Sequence, residues 1–377
     1  MAITRIGNIA NTIPDDSIQN VKMSNIVQSK NIIINGDMSI AQRGTSFSGI
    51  NSGNSTYPVD RFRANLGATP GTWTVSQDTT VPTGQGFAKS FKMDCTTANA
   101  SLSAGSYVVI QHLVEAQNLQ YLKFGTSSAE SLTLSFWVKS NKTGTYICEF
   151  YMADNGRSFS KAYTISNANT WEKKTITFPG DTGGSIDNNN GVGIEFNFWL
   201  AAGSTYTSGS LQTSWGTRVN GNMAPGQVNL ADSTSNEWYV TGVQIETGTT
   251  ASEFEFLPVD VNLNRCYRYY QLIATGSNSV AEVICNAAGY STSTAYGVLS
   301  FIKEMRSAPS LDQTSGTAYY NYSNNTNSDT FDSFAIAGGS TKKIRINNAD
   351  TIAITAGQSG WFSATTTGGN LALDSEL

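Results

Sequence analysis

The sequence predicts an all-β protein, a sandwich or barrel, and three observations predict it. Spacers rich in Gly, Asn and Ser recur roughly every ten to fifteen residues with short alternating segments between them, the pattern of many short antiparallel strands. Helix signals are few. Charged residues make up 14% of the chain, against roughly 25% in typical soluble domains, so neutral Ser, Thr, Asn and Gly groups carry the surface polarity. At 377 residues the chain exceeds one ordinary domain, and two or three units, each with its own core, are expected.

Residues 1–30 come first. Ile6, Ile9, Ile13, Ile18, Val21 and Ile26 stand singly between polar residues and Pro14, too sparse to make a core, so this segment needs a partner to become ordered. It is read as a short extended segment. The second unit spans 31–258. Within it VVIQHLVEAQNLQYLKFGT places Val109, Leu113, Ala116, Leu119 and Leu122 about a helical turn apart, which leaves a short helix and a strand followed by a loop both open. In SLTLSFWVKSNKTGTYICEFYM, Leu132, Leu134, Phe136 and Val138 share one face, Ser140–Gly144 turns, and Tyr146, Cys148, Phe150 and Met152 resume, which predicts a hairpin with one dry face. TWEKKTITFPG puts Ile176 and Phe178 together, and GVGIEFNFWL puts Ile194, Phe196, Phe198 and Leu200 together. In NEWYVTGVQIETG both faces carry large apolar groups, Trp238 and Val240 on one and Tyr239, Val243 and Ile245 on the other, so either a further layer of the same chain, a covering loop or the C-terminal unit, or a neighbouring chain must cover the second face.

Pro258 closes that strand, and a short helical turn is expected before a third unit, 259–377. AEVICNAAG, AYGVLSFIKEM, KKIRINNADTIAITAG and GWFSATT supply enough short strands for a smaller C-terminal β-sandwich or barrel.

The chemistry available is thin. His112 is the single histidine and lies beside an apolar stretch, which reads as a packed or surface imidazole more readily than as a base. There is no G-x-S-x-G elbow, and GQG at 84–86 lacks the third glycine of a dinucleotide fingerprint. Cys95, Cys148, Cys266 and Cys285 show no CxxC spacing and read as buried thiols; no metal and no cofactor is expected. DTGGSIDNNNG (181–191) is rich in oxygen donors without the calcium-loop register. Glu246, Glu253 and Glu255 are the acids that stand out, and solvation or pairing with arginine is their ordinary fate. A net charge of −5 with no long basic block argues against nucleic acid, and no apolar run approaches the ~18 residues of a spanning helix.

Binding is better supported than catalysis. The chain holds 7 Trp, 16 Tyr and 17 Phe among many Asn, Ser and Thr, and aromatic faces with neutral hydrogen-bonding groups are what a sugar needs. Tyr319, Tyr320 and Tyr322 in the polar stretch TAYYNYSNNTNSD are read as a tip loop, and Trp215 as lining a loop pocket or plugging the sandwich end. Lys342, Lys343 and Arg345 alternate with Ile344 and Ile346 and suit either an anionic lipopolysaccharide or protection of an edge strand.

Taken in series, NIIINGDMSIAQRGTSF (31–47), YPVDRF (57–62), SLTLSFWVKSNKTGTY (131–146), TWEKKTITFPGDTGG (170–184), NEWYVTGVQIETGTTASEFEFLP (236–258), NRCYRYYQ (264–271), EMRSAPS (304–310) and LDSEL (373–377) resemble a family of tailed-bacteriophage virion proteins: tail fibres, head fibres and receptor-binding proteins. The resemblance implies a jelly-roll of carbohydrate-binding-module type, a homotrimer, and a place on the phage particle surface after synthesis in the host cytoplasm. On that footing Trp238 and Val240 are expected at the trimer interface, residues 1–30 to dock on other virion proteins of tail or capsid, and the β-units to contact a host-surface glycan during adsorption without enzymatic activity. A polysaccharide depolymerase tailspike and a capsid decoration or cement protein are the alternatives.

Overall fold

The computed structural model describes residues 30–377 apart from 54, 277–280, 317 and 367. The expected anchor residues Ile6, Ile9, Ile13, Ile18, Val21 and Ile26 therefore lie outside the described residues.

Short alternating segments become strands, and in chain order the larger unit contains β1 (Ser46–Ile50), β2 (Thr56–Val59), β3 (Phe62–Gly67), β4 (Thr72–Asp78), β5 (Ser90–Thr97), β6 (Tyr107–Glu115) and β7 (Leu132–Ser140). It continues with β8 (Gly144–Met152), β9 (Arg157–Ile165), β10 (Glu172–Phe178), β11 (Val192–Ala202), β12 (Gly216–Thr217) and β13 (Glu237–Thr247). Six form one sheet, β1-β4-β5-β13-β7-β10, and seven form the other, β12-β9-β8-β11-β6-β3-β2, and the two make an antiparallel β-sandwich. Each strand turns its apolar face inward, and the rings meet edge to face across the gap: Phe136 against Phe198 at 4.9 Å and Phe150 against Phe178 at 4.6 Å. The 109–122 stretch divides its pattern, with β6 followed by a 3-10 helix, Ala116–Leu122, that buries Ala116, Leu119 and Leu122.

Two local expectations are corrected. The segment Ser140–Gly144 crosses between sheets and closes no hairpin: β7 bonds to β13 and β10, and β8 bonds to β9 and β11. Alternation marks the dry face of a strand and is silent on its bonding partner. The second correction concerns Trp238 and Val240. Both are fully buried in the core of their own chain, facing the opposite sheet, and not at a subunit contact.

The cause is a β-bulge. Thr241 sits opposite Trp137 and Gln244 opposite Ser135, so Gly242 and Val243 together face Phe136, and the extra residue reverses the alternation. Trp238 and Val240 before the bulge, and Val243 and Ile245 after it, all enter one core. The other face of β13 is covered by the same chain. Trp171 lies 6.2 Å from the Tyr239 ring, flanked by Lys92 and Lys139, and Ser252 donates to Glu246 from both its amide (2.7 Å) and its hydroxyl (2.8 Å). Asn31 caps the bulge, donating from Nδ2 to the Val243 carbonyl and accepting from the Ile245 amide, each at 3.1 Å.

Beyond Pro258, which caps it, helix α1 (Val259–Cys266) leads into the second unit. Its strands are β14 (Tyr270–Ala274), β15 (Glu282–Gly289), β16 (Ala295–Ser300), β17 (Ser310–Gln313), β18 (Tyr320–Ser323), β19 (Ser328–Phe331), β20 (Phe334–Gly339), β21 (Lys343–Asn348), β22 (Ser359–Ala364) and β23 (Leu371–Asp374). A three-stranded sheet, β14-β23-β17, and a seven-stranded one, β19-β18-β22-β15-β16-β21-β20, share a core of Tyr320, Tyr322, Phe331, Phe334, Ile346 and Phe362 among others.

The seam between the units is ionic. Glu115, with no exposed surface, accepts from Arg268 Nε (2.6 Å) and Nη2 (2.7 Å) and from the Tyr269 hydroxyl (2.6 Å). The closing residues are held by four arginines, of which Arg63 donates to the Leu377 carbonyl at 3.4 Å. Arg61 pairs with Glu376, Arg43 pairs with Asp374 and Glu376, and Arg306 donates to the Ser375 and Glu376 carbonyls.

Candidate functional site

The seven-stranded sheet of the second unit buries one face and leaves the other open. Alternation along each strand assigns residues to the open face, and the register aligns them in rows. Ser323 on β18 sits opposite Trp361 on β22, Trp361 opposite Asn286 on β15, and Val298 on β16 opposite Arg345 on β21. Because Ala287 pairs with Gly297, Asn286 stands beside Val298, so one row reads Ser323, Trp361, Asn286, Val298, Arg345. The adjacent row places Ala288, Tyr296 and Asn347 side by side. Trp361 is 40% exposed and Tyr290, just past the end of β15, is 74% exposed with its ring 5.3 Å from that of Tyr296. The Arg345 guanidinium lies 4.8 Å from the Tyr296 ring centroid and donates from Nη2 to the Ala337 carbonyl at 3.0 Å, which fixes its direction along the sheet. Flat aromatic surface, amide side chains and a cation are thus presented together to water.

The residues expected from the sequence to bind ligand lie elsewhere. Tyr320 and Tyr322 are fully buried, their hydroxyls donating to the Asn370 carbonyl (2.5 Å) and the Gln358 carbonyl (3.0 Å). The stretch is a strand after all, second from the sheet edge, and its polar residues Asn321 and Ser323 occupy the outward positions of the alternation. Tyr319 is half-buried against the same core. Trp215 plugs the sandwich end: its indole donates to the Pro179 carbonyl at 2.6 Å and its ring meets Phe124 and Phe159 edge-on at 5.7 Å. None of the four forms an open binding surface.

A signal for the open face was present in the sequence. In a strand, adjacent residues point to opposite sides, so Trp361 and Phe362 in GWFSATT cannot both be core of one sheet with one dry face.

A concavity of about 1230 Å³ lies against the seam and is bordered by Asn31, His112, Tyr121, Glu246, Arg268 and Lys303. His112 is buried on β6; its Nε2 accepts from the Ile34 amide at 3.2 Å, and burial, with Arg61 and Arg265 nearby, holds its pKa well below 6.5, so the ring is neutral. The Glu246 oxygens are taken by Ser252 and Gln244. Two other carboxylates approach one another on the outer face of the first unit, where Asn197 Nδ2 donates to Glu195 at 2.8 Å and to Glu149 at 3.4 Å. Glu149 is fully buried and both its oxygens accept from Arg218.

Asp181, in the oxygen-rich turn, forms a two-point pair with Arg157, and no group of three metal-ligating side chains occurs among the described residues. All four cysteines are free. Burial raises the Cys95 and Cys285 thiols to about 11 and Cys148 to about 12, which keeps them protonated. No helix among the described residues is long and apolar enough to cross a membrane.

No family model and no curated protein matches the chain. Among solved structures, the enzymatically active domain of bacteriophage CBA120 tailspike protein 4 is 14% identical over 58% of this chain, with a TM-score of 0.30; the match spans 22% of that chain. The family 11 carbohydrate-binding module of Clostridium thermocellum, in complex with a β-1,3-1,4-mixed-linked tetrasaccharide, is 13% identical over 54% of this chain and 95% of its own, with a TM-score of 0.27. TmCBM61, in complex with β-1,4-galactotriose, is 10% identical over 58% of this chain and all of its own, with a TM-score of 0.30.

Proposed function

We propose that this chain is a non-enzymatic glycan-binding protein of the bacteriophage particle surface, a homotrimeric fibre held to tail or capsid through its first 30 residues and touching host-surface glycans with its second β-unit. One observation carries the binding reading: Trp361 and Tyr290 are exposed on an open sheet face among Asn286, Asn321, Ser323 and Asn347. Apolar ring faces stack on sugar C–H groups while amides and hydroxyls meet the sugar hydroxyls, and a flat sheet presents both without closing a pocket. The serial motifs set out under Sequence analysis support the virion placement. Three copies on one axis would give weak sites avidity without new contacts.

With Trp238 and Val240 internal, the subunit contact is assigned instead to Phe256, Val259 and Val261 around the start of α1, three of the exposed apolar side chains among the described residues. The test is direct. Purified protein is expected to label susceptible bacteria and to block phage adsorption; protein that does neither while its absence lowers capsid stability is a cement protein. Release of reducing ends from host polysaccharide, lost on neutralising Glu195, would instead make it a depolymerase.

A further inference from the structure

We infer that the open face of the C-terminal sheet takes an anionic glycan, one bearing carboxylate or phosphate groups. This rests on the glycan-binding reading and narrows its substrate class. The five strands that build the face, β18, β22, β15, β16 and β21, contain a single carboxylate, Glu282. Glu282 pairs with Ala364 on the inward side and accepts the Thr275 amide at 2.9 Å, so it adds no charge to the outer surface. The outward residues carry two cations, Arg345 and Lys343, two positions apart on β21 and both exposed.

A chain of net charge −5 thus presents one face that is cationic and free of acids, and the complement of such a face is an anion. Lys343 has no ion-pair partner among the described residues, whereas the neighbouring Lys342 reaches Glu304 at 3.7 Å. Arg345 uses Nη2 on the Ala337 carbonyl and rests on Tyr296, which orients the planar guanidinium and leaves its other donors to the ligand. That fork matches a carboxylate or phosphate in two-point geometry. Trp361 and Arg345 are three strand spacings apart, roughly 14 Å, so one oligosaccharide can stack on the indole and place an acid group on the arginine.

The experiment is surface plasmon resonance of the full chain against immobilised bacterial surface polysaccharides, acidic and neutral, with each acidic one also presented after carboxyl reduction and after dephosphorylation. Wild type is expected to bind acidic polymers and to lose about ten-fold in affinity when the acid group is removed, when Arg345→Gln and Lys343→Gln are combined, or when salt is raised. The two chemical treatments separate carboxylate from phosphate. If neutral polymers bind, or if the treated polymers and the double variant stay within about two-fold of the untreated wild type while Trp361→Ala abolishes binding, the anionic inference is overturned and the glycan reading stands. If no polymer binds, or Trp361→Ala binds like wild type, the glycan reading itself falls.

Discussion

The ring of Trp238 lies 5.5 Å from that of Phe198, on the facing sheet of the same chain. That relationship relocates the apolar surface of β13 from a subunit boundary to the interior of one sandwich. Trp238→Ala is expected to cost about 3–5 kcal/mol in urea unfolding, the usual range for emptying an aromatic core site. Sedimentation at a urea concentration where the variant is still folded should give the same subunit number as wild type. A shift to a folded single subunit would return Trp238 to an interface.

The bulge that makes this arrangement is held by Gly242, whose φ is 62°, with Phe87 packed over it; a Cβ would lie 2.5 Å from Phe87 Cζ. Gly242→Ala is expected to destabilise by roughly 1–3 kcal/mol through backbone strain and displacement of Phe87. Combining it with Phe87→Ala should cost less than the sum of the two single changes, as a double-mutant cycle would read.

How far the sequence carries the fold is seen in this strand. Alternation identified the inward sets on β7, β8 and β11 residue by residue, because each keeps period two over those residues; β11 breaks it only near its ends, where Ala201 joins Leu200 in the core. On β13 it failed at one inserted residue, and nothing in NEWYVTGVQIETG other than the glycine marks where the parity turns over. The site was harder to read for a related reason. Polar Asn321 and Ser323 made TAYYNYS look like a loop, although in a one-sided sheet the same composition is what the outer face requires. Trp361 was legible only once its neighbour Phe362 was known to be inside. The ionic seam was not legible at all, since Glu115 and Arg268 are brought together by tertiary packing alone.

Glu115 sets an acid limb of stability. Burial raises its carboxyl, and the hydrogen bonds from Arg268, Tyr269 and Gln117 more than offset this, so its pKa in the folded chain lies below 4.5. The stabilisation is therefore complete above about pH 4.5 and is lost as pH falls through the lowered value. Arg268→Gln should cost about 3 kcal/mol at neutral pH, the low end for breaking a buried pair, because Arg268 retains some contact with water. Glu115→Gln should flatten the acid limb in a series of melts from pH 5 to pH 3.

His112 acts at higher pH with the same sign. It is neutral when folded, while the unfolded chain takes up a proton below about 6.5, so stability falls as pH drops below that value. One proton gives a slope of about 1.4 kcal/mol per pH unit. As the single histidine, it should account for that slope between pH 6.5 and 5. His112→Gln, which keeps an acceptor for the Ile34 amide, should remove it.

The central claim is that the open face around Trp361 is what the protein binds with. Fluorescently labelled wild type and Trp361→Ala, matched for melting temperature and subunit number, would be titrated onto susceptible bacteria. The account predicts that the alanine variant loses about ten-fold or more in apparent affinity and no longer blocks adsorption. Equal labelling of the cells by both proteins would contradict it.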